Sequence, residues 1–234
     1  MRLFFLLLAG LLAACTPAPT ASTMTTTADP AGRASRPYLA LGDSYTIGEG
    51  AAEADRWPVQ LAGMLRERGV PLANPLIIAR TGWTTAELQE AIAASGNHRT
   101  DYELVSLLIG VNNQYRGQSL ALYRAEFRQL LATAQRYAGG RASRVVVLSI
   151  PDWGLTPFAA GQDASRISHE IDQFNAAAQQ ECEHVGIAWV DITPLTRAIG
   201  PDASQITPDG LHYTGRQMHR WAEAALPVVQ GLLQ

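Results

Sequence analysis

A short apolar run followed by a serine turn occupies residues 38–44, Tyr38-Leu39-Ala40-Leu41-Gly42-Asp43-Ser44. The run over residues 38–41 predicts a strand buried in a parallel sheet, because such strands are covered on both faces and do not alternate with polar residues. Ser44 would then follow the carboxyl end of the strand, where open α/β sheets bind ligands. Glycine, aspartate and serine also form ordinary turns, so this stretch alone leaves a catalytic and a purely structural interpretation open.

Four further apolar runs follow the first, and segments with the helical spacing of apolar residues separate them. This alternation is typical of repeated βα units and a parallel sheet. The sequence therefore predicts an α/β fold, a three-layer α/β/α sandwich, whose last helix is kinked or shortened by Pro227. The five predicted parallel strands lie at residues 38–41, 76–79, 104–109, 145–150 and 187–192.

The composition fits one folded domain and excludes one class of partner. The chain has 234 residues, of which 47% are hydrophobic and 17% charged, and its formal net charge is −3. A chain of this length forms one well-buried domain. Because no long cluster of Lys and Arg is present, the electrostatic footprint of a nucleic-acid-binding protein is missing. We expect a small or surface-bound substrate and no nucleic acid.

The N-terminal segment is expected to lie outside the folded domain. A positive start and an apolar run over residues 1–14 predict a signal peptide, and the run is too short for a transmembrane helix. It leads into Leu12-Ala13-Ala14-Cys15, which resembles a bacterial lipobox and implies lipidation of Cys15. A plain secretory signal is the alternative. Residues 15–36, rich in Thr, Ala and Pro, predict a flexible tether, which leaves residues 37–234 as the domain.

This N-terminal organisation predicts a location. We expect an exported protein of the bacterial cell envelope that faces the periplasm or the cell surface. The membrane would be contacted only through the lipid anchor at Cys15.

A carboxylate lies three residues before a histidine in Asp209-Gly210-Leu211-His212. On one turn of helix, residues at this spacing share a face. Asp209 would then hold one tautomer of His212, whose other nitrogen is left to take a proton from Ser44. A helix start with a capping aspartate and a surface histidine is the alternative interpretation.

Two residues after predicted strands are candidates for stabilising an oxyanion. Gly82 follows the second strand just ahead of a predicted helix, and its backbone N–H is available there. Asn112 follows the third strand and offers a side-chain amide. Each is also compatible with ordinary turn chemistry. Because parallel strands bring their carboxyl ends to one edge of a sheet, we expect Ser44, Gly82 and Asn112 to lie close together.

Together these segments resemble the GDSL, or SGNH, hydrolase superfamily. The resemblance implies a flavodoxin-like SGNH hydrolase fold and an esterase or lipase activity. It also implies Ser44 as nucleophile, His212 as base and Asp209 as its orienting group. The implied oxyanion hole consists of the Ser44 and Gly82 N–H groups and the Asn112 side chain. The matching blocks, in their proper order, are Gly42-Asp43-Ser44, Gly82, Gly110-Val111-Asn112-Asn113 and Asp209-Gly210-Leu211-His212.

Two residues depart from the superfamily pattern. Tyr45 replaces the leucine of the name, and Asn113 replaces the aspartate that often follows the third-block asparagine. The second departure puts the local hydrogen bonding in doubt, whereas the oxyanion role of Asn112 is unaffected.

We therefore expect a serine esterase that hydrolyses acyl or acetyl esters through an acyl-enzyme on Ser44, with no cofactor and no metal. A small-molecule, glycan or lipid ester would be its substrate. One alternative is an envelope glycan acetyltransferase or deacetylase using the same site, and another is a non-catalytic binding lipoprotein. Four residues on loops after predicted strands are candidates for substrate contacts, with packing as the other interpretation: Trp83, Tyr115, Arg116 and Trp153.

Overall fold

A five-stranded parallel sheet lies at the centre of the computed structural model, which describes residues 35–199 and 202–234. The predicted signal peptide, Cys15 and nearly all of the tether lie outside the described residues. The strand order is β2-β1-β3-β4-β5, the order of a flavodoxin-like sheet, so the predicted fold is confirmed. The strands are β1 Tyr38–Gly42, β2 Leu76–Ala79, β3 Leu104–Leu108, β4 Val145–Leu148 and β5 Ala188–Val190.

Helices cover the sheet on both faces. Helix α2 (Trp57–Glu67) packs against α8 (Gly215–Leu233) in one group, whereas α3 (Thr85–Ala94) packs against α5 (Leu120–Tyr137) and α5 against α6 (Ala164–Val185) in another. Every residue of β1 and β3 is buried, as expected for strands covered on both sides. The α-helices of the described residues are α1 Ser44–Ile47, α2 Trp57–Glu67, α3 Thr85–Ala94, α4 Val111–Tyr115, α5 Leu120–Tyr137, α6 Ala164–Val185, α7 Thr193–Arg197 and α8 Gly215–Leu233. Within this part of the chain, no helix combines the length and the apolar character needed to cross a membrane.

The last helix continues through its proline. Helix α8 reaches Leu233, so Pro227 does not shorten it as the sequence suggested. Pro227 is exposed, and so is Glu223, whose carbonyl loses its helical partner there. The buried face of α8, which includes Trp221, Ala225 and Val229, stabilises the helix on both sides of the proline.

A close approach at Gly42 shapes the edge of the sheet that carries the serine. Gly42 is the last residue of β1 and lies opposite Leu108 of β3. A Cβ atom at this position would lie 2.4 Å from the Leu108 carbonyl oxygen and 2.2 Å from Oγ1 of Thr46. Only glycine therefore allows α1 to fold back over the end of β1 while β3 stays paired beside it.

We predict that Gly42→Ala lowers the free energy of unfolding by about 1–3 kcal/mol, because the added methyl group meets fixed backbone. Gly231→Ala is the matched control, since Gly231 lies in α8 and an added Cβ would meet no atom of residues 35–199 or 202–234 within 4 Å apart from its chain neighbours and the helix's own backbone. It should gain roughly 0.5–1 kcal/mol from the lower entropy of its unfolded chain. Urea unfolding of both variants measures the difference. A Gly42→Ala variant as stable as the wild type would contradict the close approach.

Candidate active site

Ser44 is the first residue of a very short helix at the carboxyl end of β1. The preceding residue, Asp43, caps this helix: its Oδ1 accepts a hydrogen bond of 3.0 Å from the Tyr45 N–H. Ser44 is buried except for 5% of its surface. Its backbone N–H donates to no acceptor among the described residues, so it is available to an incoming group.

The Asp43 carboxyl is a feature of the site that sequence reasoning missed. It is fully buried, and its second oxygen, Oδ2, has no hydrogen-bond partner in the described part of the chain. Burial raises the pKa of Asp43 to about 7, and the hydrogen bond from Tyr45 offsets only part of this effect. The sequence identified Asp43 only as a turn former, because nothing local signals that both faces of the turn are covered.

Asp209 and His212 are in direct contact. Oδ2 of Asp209 lies 2.6 Å from Nδ1 of His212. The other oxygen, Oδ1, accepts hydrogen bonds from the N–H groups of Leu211 and His212 and from the hydroxyl of Thr207. Burial raises the pKa of the Asp209 carboxyl, but the hydrogen bonds from His212, Leu211 and Thr207 outweigh burial and hold the pKa below its usual value. Asp209 therefore stays ionised beside the imidazole.

The backbone that produces this contact is not the helical turn that the sequence suggested. Residues 208–212 form a turn and bends ahead of α8. An antiparallel bridge between Ile206 and Tyr213 closes the loop, and the Thr207 N–H donates to the His212 carbonyl at 2.8 Å. Gly210 has a φ of +76°, a conformation that favours glycine. A tight loop thus gives the pairing that was expected from helical spacing.

The turn that carries Gly82 is held by its neighbours. Gly82 has a φ of +86°, and its N–H donates to no acceptor in the described ranges. The guanidinium of Arg116 donates to the Gly82 carbonyl and, at 3.1 Å, to Glu87. Two residues after Gly82, Thr84 opens α3 with a complete capping box that includes Glu87. The position of this N–H is therefore fixed from both sides.

Asn112 lies in α4, directly after β3, with its amide orientation fixed. Its Nδ2 donates to the backbone carbonyl of Trp83 at 2.9 Å. Because a carbonyl only accepts, the nitrogen and not the oxygen of the amide must lie on that side. The second N–H of the same amide is left for another acceptor.

Asn113 forms hydrogen bonds of its own, although it departs from the superfamily pattern. It is fully buried, accepts from the Thr85 N–H at 3.1 Å and donates to Thr85 Oγ1 at 2.6 Å and to Gln118 at 2.8 Å. An ionised carboxylate could not make the two donated bonds. Asn113 therefore links the start of α4 to the start of α3.

One cavity of about 140 Å³ brings most of the candidate residues together. Tyr115 and Trp153 are in its lining, whereas Trp83 and Arg116 are not. Those two residues instead hold Asn112 and Gly82, and the role of all four in substrate contact stays a prediction. Sequence reasoning missed the lining residue Phe158, although it shares the loop between β4 and α6 with Trp153. The lining consists of Ser44, Tyr45, Thr81, Gly82, Val111, Asn112, Tyr115, Trp153, Phe158, Leu211 and His212.

Comparison with known proteins gives one family and a common fold. The model of the GDSL-like lipase/acylhydrolase family matches residues 40–220. The crystal structure of TesA is 19% identical, with a TM-score of 0.64 over 85% of this chain and 100% of that one. Phospholipase A1 from Streptomyces albidoflavus is 21% identical, with a TM-score of 0.61 over 85% of this chain and 99% of that one.

A third similar structure is AlinE4, a SGNH-hydrolase family esterase. It is 23% identical, with a TM-score of 0.58 over 86% of this chain and 98% of that one. At such identities these structures show a shared fold alone. No curated protein matches the chain.

We predict that the free energy of unfolding of Asp43→Asn rises relative to that of the wild type by roughly 2–3 kcal/mol between pH 5 and pH 8. The pKa of Asp43 is raised in the folded protein, so over this range the folded state keeps a proton that the unfolded chain has already released. The wild-type free energy of unfolding therefore falls as the pH rises, whereas the asparagine does not titrate. Urea unfolding of both proteins across this range measures the effect. A constant difference would show that Asp43 is not protonated in the fold.

Proposed function

The chain belongs to the GDSL-like lipase/acylhydrolase family, as the sequence resemblance predicted, and is an ester-hydrolysing enzyme; on this premise we propose that it is a serine esterase acting through an acyl-enzyme on Ser44. One observation carries the proposal. His212 contacts Asp209 at 2.6 Å and lines the same cavity as Ser44, Gly82 and Asn112. This cavity thus contains a nucleophile, a base with its orienting carboxylate, and hydrogen-bond donors.

The first step forms the acyl-enzyme. Ser44 Oγ attacks the ester carbonyl carbon, and Nε2 of His212 takes the hydroxyl proton. Asp209 keeps the proton of the imidazole on Nδ1 and stabilises the imidazolium that forms, because its carboxylate is ionised and lies 2.6 Å away. The ester C–O bond then breaks, and the His212 proton passes to the departing alcohol.

Charge that develops on the carbonyl oxygen requires donors that are already in place. The N–H groups of Ser44 and Gly82 have no acceptor within the described residues, and Asn112 has one N–H beyond the bond to Trp83. Such a preorganised donor contributes about 3 kcal/mol to lowering the barrier. Water then attacks the acyl carbon and gives a proton to His212. The bond to Ser44 Oγ breaks, His212 returns the proton to Ser44, and the free acid leaves.

The cavity lining supports a substrate with an apolar group. Its side chains are largely aromatic and aliphatic, and none of the lining residues is Lys, Arg, Asp or Glu. A charged substituent would lose its hydration there without gaining an ion pair. An uncharged ester with a small apolar acyl or alcohol group therefore fits the site best.

We predict that a fluorophosphonate probe labels the wild-type protein and leaves Ser44→Ala unlabelled, because only an activated serine reacts.

In addition, Asn112→Ala should lower kcat/KM for p-nitrophenyl acetate about a hundredfold through loss of one oxyanion donor. Asn74→Ala is the matched control: Asn74 is exposed, precedes β2 and should leave the rate unchanged. Labelling of Ser44→Ala, or a near-normal rate in a folded Asn112→Ala variant, would contradict the assignment.

The proposed location follows from the sequence ahead of the described residues. The segment Leu12-Ala13-Ala14-Cys15 supports export and lipid anchoring at Cys15 in the bacterial cell envelope.

We predict that the protein expressed in bacteria incorporates an alkyne-tagged fatty acid, and that Cys15→Ser abolishes this label while the enzyme is still exported. Equal labelling of both proteins, or none of the wild type, would contradict anchoring at Cys15.

A further inference from the structure

One side of the cavity is an aromatic wall formed by Tyr115, Trp153 and Phe158. The ring centroids of Trp153 and Phe158 lie 6.0 Å apart, and those of Tyr115 and Trp153 lie 5.4 Å apart. Trp153 and Phe158 both belong to the loop between β4 and α6, residues 149–163. Trp153 is buried, whereas Phe158 is 40% exposed. Tyr115 is held by α4, whereas the positions of the Trp153 and Phe158 rings depend on what holds this loop.

A buried carboxylate anchors the loop one residue before Trp153. The Asp152 side chain is fully buried. Oδ1 accepts from the Gly154 N–H at 2.9 Å, and Oδ2 accepts from Ser168 Oγ at 2.6 Å and from Arg197 Nε at 2.8 Å. Arg197, at the end of α7, also pairs with Asp172 of α6 at 2.8 Å. This ion pair ties the loop to two helices outside the cavity.

Removal of Arg197 would leave Asp152 as a buried charge without a cation. Such a charge is strongly unfavourable, so the carboxylate would draw in water or move toward solvent. Since Oδ1 of the same carboxylate orders the Gly154 N–H, this movement would displace the backbone on both sides of Trp153. The indole N–H of Trp153 donates to Gln114 at 2.8 Å, and that bond would be strained or lost.

The same loop also contacts the turn that carries His212. The Phe158 N–H donates to the Gly210 carbonyl at 2.9 Å, between Asp209 and His212 in the chain. The Tyr213 hydroxyl donates to the Asp152 carbonyl at 3.3 Å. The aromatic wall is thus fixed at one end by Arg197 and at the other by the Asp209–His212 turn.

We propose that Arg197 is a positioning residue that sets the substrate selectivity of the site, although it does not line the cavity. Through Asp152 it holds the aromatic wall at the place where an apolar acyl group packs. This rests on the proposed esterase function. An acyl chain longer than acetyl carries further methylene groups, and these can pack on the aromatic wall that lines the cavity together with Ser44. Two methylene groups packed on the wall favour a butanoyl over an acetyl ester by roughly tenfold.

The test compares kcat/KM for p-nitrophenyl butanoate with that for p-nitrophenyl acetate. The wild type should prefer butanoate by roughly tenfold, and Arg197→Ala should lower this ratio at least about threefold. Arg197→Lys should give an intermediate ratio, because an ammonium group cannot reach Asp152 and Asp172 with the fork of a guanidinium. The matched control is Arg128→Ala, which breaks the Arg128–Glu181 pair between α5 and α6, away from the cavity, and should leave the ratio unchanged.

A double-variant cycle separates positioning from general destabilisation. Phe158→Ala should lower the ratio by itself, and adding Arg197→Ala should lower it little further, since both act through the same wall. If Arg197→Ala does not fold, Arg197→Lys replaces it, because lysine keeps a cation near Asp152 but lacks the fork that pairs with Asp152 and Asp172. An unchanged ratio in Arg197→Ala, or in Arg197→Lys in its place, would overturn the proposal. Fully additive losses in the double variant would do the same.

Binding of unreactive amides distinguishes this proposal from the proposed function. NMR titration with butanamide and acetamide measures the preference of the wall without any catalysis. If the wild type hydrolyses no ester but prefers butanamide, and Arg197→Ala loses that preference, the esterase assignment fails and the wall is supported. If esters are hydrolysed but Arg197→Ala retains the wild-type preference for both amides and esters, the role of Arg197 fails alone.

Discussion

The close approach of the backbone at Gly42 is the constraint on which the candidate site depends. β1 and β3 are neighbours at the centre of the sheet, and the order of the strands reverses between them. Because Gly42 has no side chain, α1 folds directly over the end of β1, where a Cβ would collide with Thr46 and with the Leu108 carbonyl. Ser44, the first residue of α1, and Asn112, the second residue of α4, therefore line one cavity at the edge where a substrate can enter.

Hydrogen bonds from residues outside the cavity hold its polar groups in place. Trp83 orients the amide of Asn112, Arg116 holds the carbonyl of Gly82, and Asp209 holds the ring of His212. Such fixed orientation favours catalysis because donors need not reorganise as charge develops. The arrangement has a thermodynamic cost at Asp43: its carboxyl is buried beside Ser44, and one of its oxygens has no hydrogen-bond partner in the part of the chain that the structure describes. Local destabilisation of this kind is common at functional sites.

Much of the fold was predictable because buried strands and amphipathic helices have different periods of apolar residues. Five parallel strands and the sandwich follow from this pattern. The short helices α1 and α4 were not predicted, since four or five residues show no helical period. The contact between Asp209 and His212 was expected for the wrong reason: a tight loop closed by the bridge between Ile206 and Tyr213 makes it. The anchor of the aromatic wall, Asp152 with Arg197, was not visible in the sequence, because its members are 45 residues apart.

The convergence of Ser44, His212, Gly82 and Asn112 on one reacting carbonyl is the central claim. A crystal structure of the protein inactivated by a small alkyl phosphonate tests it most directly, because the phosphoryl oxygen mimics the oxyanion. We expect the phosphorus on Ser44 Oγ and its oxygen about 2.7–3.1 Å from the Ser44 N, the Gly82 N and the Asn112 Nδ2. An adduct on another residue, or a phosphoryl oxygen turned toward solvent and away from these three donors, would contradict the account.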